Sequence, residues 1–148
     1  MEQPAALALL DDLFNTLATR DVPALLGLFA DEAVLFDPHY PEMEMSGRAA
    51  IERGIAWGMG SMEQFGFTVK QGFASDDGAK AIVEVDTHHV LKGGKALNFP
   101  QVFVVETEGG LITALRAYEP YRPDGLTGFF VRVSHLQERI THRLKSRR

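Results

Sequence analysis

Apolar residues recur at helical spacing in the first part of the chain and alternate in the rest. Leu7, Leu10, Phe14 and Leu17 share one face and predict a helix over Pro4 to Thr19. Asp21 is a good N-cap for a second helix, with Val22 and Pro23 in its first turn and Leu25, Leu26, Leu28 and Phe29 on its buried side. A short apolar run, Ala33 to Phe36, reads as a strand that stops at Asp37-Pro38. Ser46 is expected to cap a third helix, roughly Arg48 to Trp57, with Ile51, Ile55 and Trp57 facing inward and Gly58 and Gly60 ending it.

Beyond Gly60 the period drops to two. Phe65, Phe67, Val69, Gln71 and Phe73 are expected on one strand face, and Asp76-Asp77-Gly78 is a hairpin signal. In the strand from Ala79 to Leu91, the alternate positions Ala81, Val83, Val85, Thr87, His89 and Leu91 form the core face. Gly93-Gly94 turns into Ala96 to Thr107, apolar on both sides as a central strand is, with Pro100 a candidate bulge. Gly109-Gly110 turns again into Leu111 to Tyr121. Helices grouped against long antiparallel strands define an α+β class. The expected organisation is one domain over residues 1–121. Residues 122–148 extend it as a C-terminal amphipathic helix, with Leu126, Phe129, Phe130, Val133, Leu136, Ile140 and Leu144 along its stripe.

Composition narrows the function. A chain of 148 residues suits one domain with a real core. It has no cysteine, which excludes disulfides, thiolate nucleophiles and cysteine metal sites. The longest uncharged run, Ala96 to Val105, is too short to span a bilayer, and no Lys or Arg precedes Arg20, so the reading is a cytoplasmic protein without a membrane role. The net charge of −5 is uneven: residues 1–121 carry 8 Lys/Arg and 18 Asp/Glu, whereas residues 122–148 carry 7 and 2. The acidic body should repel nucleic acid. The basic end is read as covering its own sheet or the acidic body of a second copy, rather than as a nucleic-acid arm.

Asp37 is the residue on which the chemistry turns, because an ionised carboxylate at the end of an apolar strand resists losing water. It is a candidate general base for moving a proton next to a carbonyl; the plainer reading is an Asp that caps its own turn beside Pro38. His39 and Tyr40 follow it as candidates to orient Asp37 or donate to a developing oxyanion. His89 has inward parity and is a candidate partner for Asp37, a donor to a substrate oxygen, or a satisfied core histidine. Gln101, an amide in the row Leu97, Phe99, Phe103 and Val105, is a candidate donor to ligand. Glu119 is a candidate second acid or a rim carboxylate, and Phe14, Trp57, Phe65 and Phe103 are candidate pocket walls. No metal site is expected. His88 and His89 point to opposite faces, and His39 with Glu42 or Glu44 lacks ligand spacing. No phosphate loop, G-x-G-x-x-G or G-x-S-x-G occurs, so no cofactor is implied.

The order of these elements resembles the nuclear transport factor 2-like superfamily, in particular its ketosteroid isomerase and SnoaL-like polyketide cyclase branches. The resemblance covers roughly residues 5–121. It rests on Leu28-Phe29-Ala30-Asp31-Glu32-Ala33-Val34, Asp37-Pro38, Ser46-Gly47-Arg48-Ala49-Ala50-Ile51, and Gly110-Leu111-Ile112 through Leu115-Arg116-Ala117-Tyr118. It implies a cone-shaped, cystatin-like roll in which a curved sheet wraps the N-terminal helices around a blind apolar pocket. A homodimer is the expected assembly, since the C-terminal amphipathic helix needs a surface to cover. In the isomerase branch the acid ending the first strand is the general base, and Asp37 matches that position. The phenol donor of that branch falls at Leu13-Phe14 here, its second acid near Gln101 or Val102, and the last-strand acid of the cyclases at Ala117. Three functions follow as expectations: an enzyme of isomerase, cyclase or epoxide-hydrolase type acting on an apolar small molecule with Asp37 as base; a non-catalytic ligand-binding or accessory module with the same pocket; and an interaction protein acting through its basic end.

Overall fold

A computed structural model describes residues 3–120. The expected C-terminal helix, its basic face and its apolar stripe lie outside the described residues. The elements run α1 (Ala5–Thr19), α2 (Val22–Gly27), β1 (Phe29–Phe36), β2 (Glu44–Ser46), α3 (Arg48–Ser61), β3 (Met62–Gln64), β4 (Phe67–Ala74), β5 (Lys80–Leu91), β6 (Ala96–Glu108) and β7 (Leu111–Tyr118). The seven strands form one curled sheet in the order β2-β1-β7-β6-β5-β3, with β4 also paired to β5. This is the α+β roll expected, with one pairing of a different sense. The neighbours β1 and β7 run parallel, with Phe36 opposite Arg116.

The helices lie in the curl. Ala6, Leu10, Leu13 and Phe14 form the buried face of α1, while Leu7 and Leu17 are half-buried. Arg20 ends α1 in the left-handed region (φ 60°). Its guanidinium donates to the carbonyls of Met59 and Met62 at 2.7 and 2.9 Å, tying the end of α1 to the end of α3. Asp21 caps α2 as expected, accepting from the Ala24 N–H at 3.1 Å. Phe29 does not belong to α2. It opens β1, where its parity with Ala33 and Leu35 buries it.

The segment from Ser46 to Ser61 departs most from expectation. Ser46 pairs with Val34 as the end of β2, and Gly47 (φ 80°) takes the cap position without a side-chain bond. Arg48 replaces capping chemistry with a clamp, donating to Asp31 Oδ1 (3.0 Å) and to the carbonyls of Leu26 and Phe29. The helix then runs through Gly58 and Gly60 instead of stopping. Gly58 is small because the Tyr40 hydroxyl crosses it; a Cβ there would lie 3.1 Å from that oxygen. Trp57, expected inward, is 42 % exposed at the rim.

Strand β5 follows the sequence parity, with Ala81, Val83, Val85, Thr87 and His89 buried and Leu91 half-buried. Strand β4 does not. Its register to β5 shifts between Val69 and Gln71, so Phe73 pairs with outward Ile82 and is 62 % exposed, while Gly72 faces inward against Leu7. Pro100 makes no bulge. Pairing of β6 with β5 is regular from Lys80↔Glu106 to Val90↔Ala96. Pro100 lies beyond the last β7 partner of β6, Val102↔Tyr118, so its other edge has no β7 partner to serve.

Gly66, between β3 and β4, sits where no side chain fits. A Cβ there would stand 2.5 Å from the His88 carbonyl oxygen, which is backbone and cannot turn aside. Gly66→Ala is therefore expected to destabilise the fold by about 2 kcal/mol, read as a lower urea midpoint at unchanged slope. A loss under about 0.5 kcal/mol, the usual range of an innocuous surface change, would mean that the link slides freely.

Candidate functional site

An apolar cavity of about 80 Å³ opens between the helices and the concave face of the sheet. Its floor is buried: Leu25 from α2, Phe29 from β1, Phe103 from β6, and Leu115 and Ala117 from β7. Its rim is formed by half-buried or exposed Tyr40, Trp57, Met62, Leu97 and Phe99. The polar residues in the lining are Asp37, His39, Tyr40, His89 and Gln101. Of the residues singled out from sequence, Phe14 packs behind the wall, stacked on Phe67 (4.6 Å) and edge-on to Phe103 (5.2 Å).

Asp37 leaves the end of β1 with its side chain 15 % exposed. The self-capped turn of the plainer sequence reading is present. Its Oδ1 accepts the His39 backbone N–H at 2.9 Å, the self-capped turn, and the His39 Nδ1 at 3.0 Å. Among the described residues Oδ2 has no hydrogen-bond partner. The carboxylate therefore keeps one free oxygen while lining the cavity.

His39 has a carboxylate beside each ring nitrogen, hydrogen-bonded at Nδ1 and in charge contact at Nε2. Nδ1 meets Asp37, and Nε2 lies 2.6 Å from Oε2 of Glu119, just past β7. The Asp37 hydrogen bond and charge, with the Glu119 charge, raise the imidazole above its ordinary pKa against the opposing effect of burial. Glu119 is not part of the cavity lining and reaches it through His39.

His89 does not pair with Asp37. Its Nδ1 accepts the Gly66 N–H at 3.3 Å, which places the ring proton on Nε2. Phe65, Phe67 and Phe99 surround the ring, at 5.2, 5.0 and 6.1 Å between centroids. Burial, seconded by the nearby His39, pushes its pKa down to about 4, so it is a neutral N–H donor at pH 7. Gln101 is buried, and its Oε1 accepts from Thr87 Oγ1 at 3.1 Å, which leaves the amide nitrogen as its donor. Burial, with the Asp37 charge beside it, pushes the Tyr40 phenol well above its usual pKa, so it too remains a donor. Its ring packs on Trp57 at 5.6 Å. The site thus sets one partly free carboxylate against three neutral donors inside an apolar wall. Among the described residues no group of three His, Cys, Asp or Glu side chains is arranged to hold a metal ion.

The sequence reading named Asp37, His39, Tyr40, His89, Gln101 and Glu119 one by one, but it did not join His39 to Glu119. The missing signal was strand sense. An antiparallel first strand would place Asp37 and Glu119 at opposite ends of the sheet; the parallel β1–β7 pair puts both exits on one edge. The Phe67 and Leu97 walls also escaped notice, since nothing in the alternation marks which core residues border empty space.

A curled sheet around N-terminal helices, enclosing a cavity with an acid at the mouth of its first strand, is the nuclear transport factor 2-like fold. The chain belongs to the SnoaL-like domain family, whose profile matches residues 10–115. Among solved structures it is similar to the Δ5-3-ketosteroid isomerase of a Mycobacterium species (20 % identity, TM-score 0.71, 79 % of this chain and 94 % of that one). It is also similar to a Mycobacterium tuberculosis protein in complex with estradiol-17β-hemisuccinate (21 %, 0.71, 80 % and 95 %) and to a computationally designed 17-OHP binder (22 %, 0.72, 80 % and 95 %). At such identities these likenesses show the fold. A comparison with curated protein sequences finds no match. Among the described residues no helix is long and apolar enough to cross a membrane.

Proposed function

We propose that this protein is a cofactor-independent acid–base enzyme that moves a proton next to the carbonyl of a small apolar substrate. The observation that carries the reading is the free Oδ2 of Asp37 at an apolar cavity whose other uncommitted polar groups are donors. Asp37 takes the proton from carbon, and Tyr40, His89 or Gln101 donates to the oxygen on which charge develops. The neighbour that is a ketosteroid isomerase and the one that holds a steroid ester support this class of ligand. A cavity of about 80 Å³ is well below the roughly 300–1,000 Å³ of drug-sized pockets, so the fit favours a compact, single-ring ketone. A steroid enters only if Tyr40, Trp57 and Phe99 swing outward.

The test uses two β,γ-unsaturated ketones of different size, 3-cyclohexen-1-one and a 5-ene-3-ketosteroid, with conversion to the conjugated enone followed by ultraviolet absorbance. Turnover of the smaller ketone is expected, with kcat falling about 100-fold or more in Asp37→Asn and KM little changed. Binding of either ketone by saturation-transfer NMR without any conversion would defeat the catalytic reading and leave the alternative, a ligand-binding module. That alternative draws on Ala117 and on the Leu13-Phe14 stretch, which supply no acid or phenol.

A further inference from the structure

An imidazole lodged between two carboxylates has restricted chemistry. Neutral imidazole carries one N–H and one bare lone pair, and ionised carboxylates only accept. With Asp37 Oδ1 at 3.0 Å from Nδ1 and Glu119 Oε2 at 2.6 Å from Nε2, a neutral ring would press a lone pair against one of the two oxygens. Only the doubly protonated ring presents an N–H and a positive charge to both, as a charge-assisted bond to Asp37 and an ion pair with Glu119. The surroundings agree. Phe99 lies 5.0 Å away between centroids, within cation–π reach. The charged groups that act on the ring are Asp37 from the β1 turn and Glu119 from beyond β7, both of which favour the cation. His89 on β5 also faces it and is neutral at pH 7, its own pKa lowered in part by His39.

We propose that Glu119 is a positioning residue: with Asp37 it holds His39 as an imidazolium across the cavity mouth, and that cation locks the Asp37 carboxylate so that only Oδ2 is free to work. His39 itself, protonated and faced by a carboxylate at each nitrogen, neither accepts a proton nor donates to ligand in this arrangement. The inference deepens the proposed acid–base function and rests on it for its catalytic consequence. The charge state of His39 stands apart from that function.

The test is a titration of the folded protein by NMR, with ring nitrogen and Cε1–H shifts of His39 followed in wild type, Glu119→Gln and Asp37→Asn. The wild-type midpoint should lie above 6.5, with both ring nitrogens showing the protonated pattern below it. The midpoint should fall in Glu119→Gln and fall further in Asp37→Asn, the larger contributor. A wild-type midpoint at or below 6.5, or one unmoved by Glu119→Gln, would overturn the proposal. In the enone assay Glu119→Gln should lower kcat several-fold at constant KM and bring the alkaline limb of the pH profile to lower pH. An unmoved profile would remove the positioning role. Loss of the base assignment shows instead as full activity in Asp37→Asn, an outcome separable from the His39 titration.

Discussion

Acidification from pH 7 to pH 4.5 should weaken the fold by on the order of 2–3 kcal/mol through His89 alone. The folded ring has its pKa pushed down to about 4, against 6.5 in the unfolded chain. The unfolded state therefore binds the extra proton first as the pH falls. The contribution is intact above about 6.5, is lost progressively toward 4, and levels off below. The cause is burial among Phe65, Phe67 and Phe99, with Nδ1 already spent on Gly66. Urea unfolding at the two pH values, in wild type and His89→Phe, isolates the effect, since carboxylate titration is common to both. The variant should lose most of the difference between them, and equal pH slopes would remove His89 as the cause. His39 acts in the opposite sense: its raised pKa contributes stability that is present below 6.5 and is lost as pH rises through the folded value.

The second large effect is mechanical. Phe103→Ala should cost about 3–5 kcal/mol in denaturant unfolding. Phe103 is 5 % exposed on the central strand and meets Phe14 edge-on and Phe67 at 5.9 Å. It is at once core and cavity floor, and α1 has only half-buried Leu7 and Leu17 in reserve along the same face. A cost under about 1.5 kcal/mol, as for a volume-conserving swap, would mean that the neighbouring rings collapse into the space. In that event the cavity would not gain room for a larger ligand.

These predictions show which parts of the molecule were legible in the sequence. Burial on β5 followed alternation residue by residue, because its β6 neighbour pairs in unbroken register from Lys80 to Val90 and the extra residue of the β4–β5 shift lies on β4. Asp37 stood out because a charge rarely ends an apolar run without a reason. Other features depended on contacts between distant segments. Gly58 looks like a helix stop until Tyr40 lies across it, and the parity of β4 is right only up to the shifted register at Lys70. Phe29 looked helical because Leu25, Leu26 and Leu28 precede it, yet its burial comes from strand pairing with Ile112. The Asp37–His39–Glu119 cluster needed the parallel sense of one strand pair, which no local periodicity encodes.

That parallel pair also sets when the site comes into being. Hairpins β4–β5, β5–β6 and β6–β7 join neighbours through short turns and close small loops. Pairing β1 with β7 brings Phe29 to Ile112 across most of the described chain, the costliest closure in the sheet. A folding species with all its hairpins made, but β1 still adrift, would have most of its core and the local Asp37–His39 turn, yet lack the His39–Glu119 contact. During refolding, the His39 ring signal is thus a clock for the final closure, since the Glu119 charge reaches the ring only with that last event.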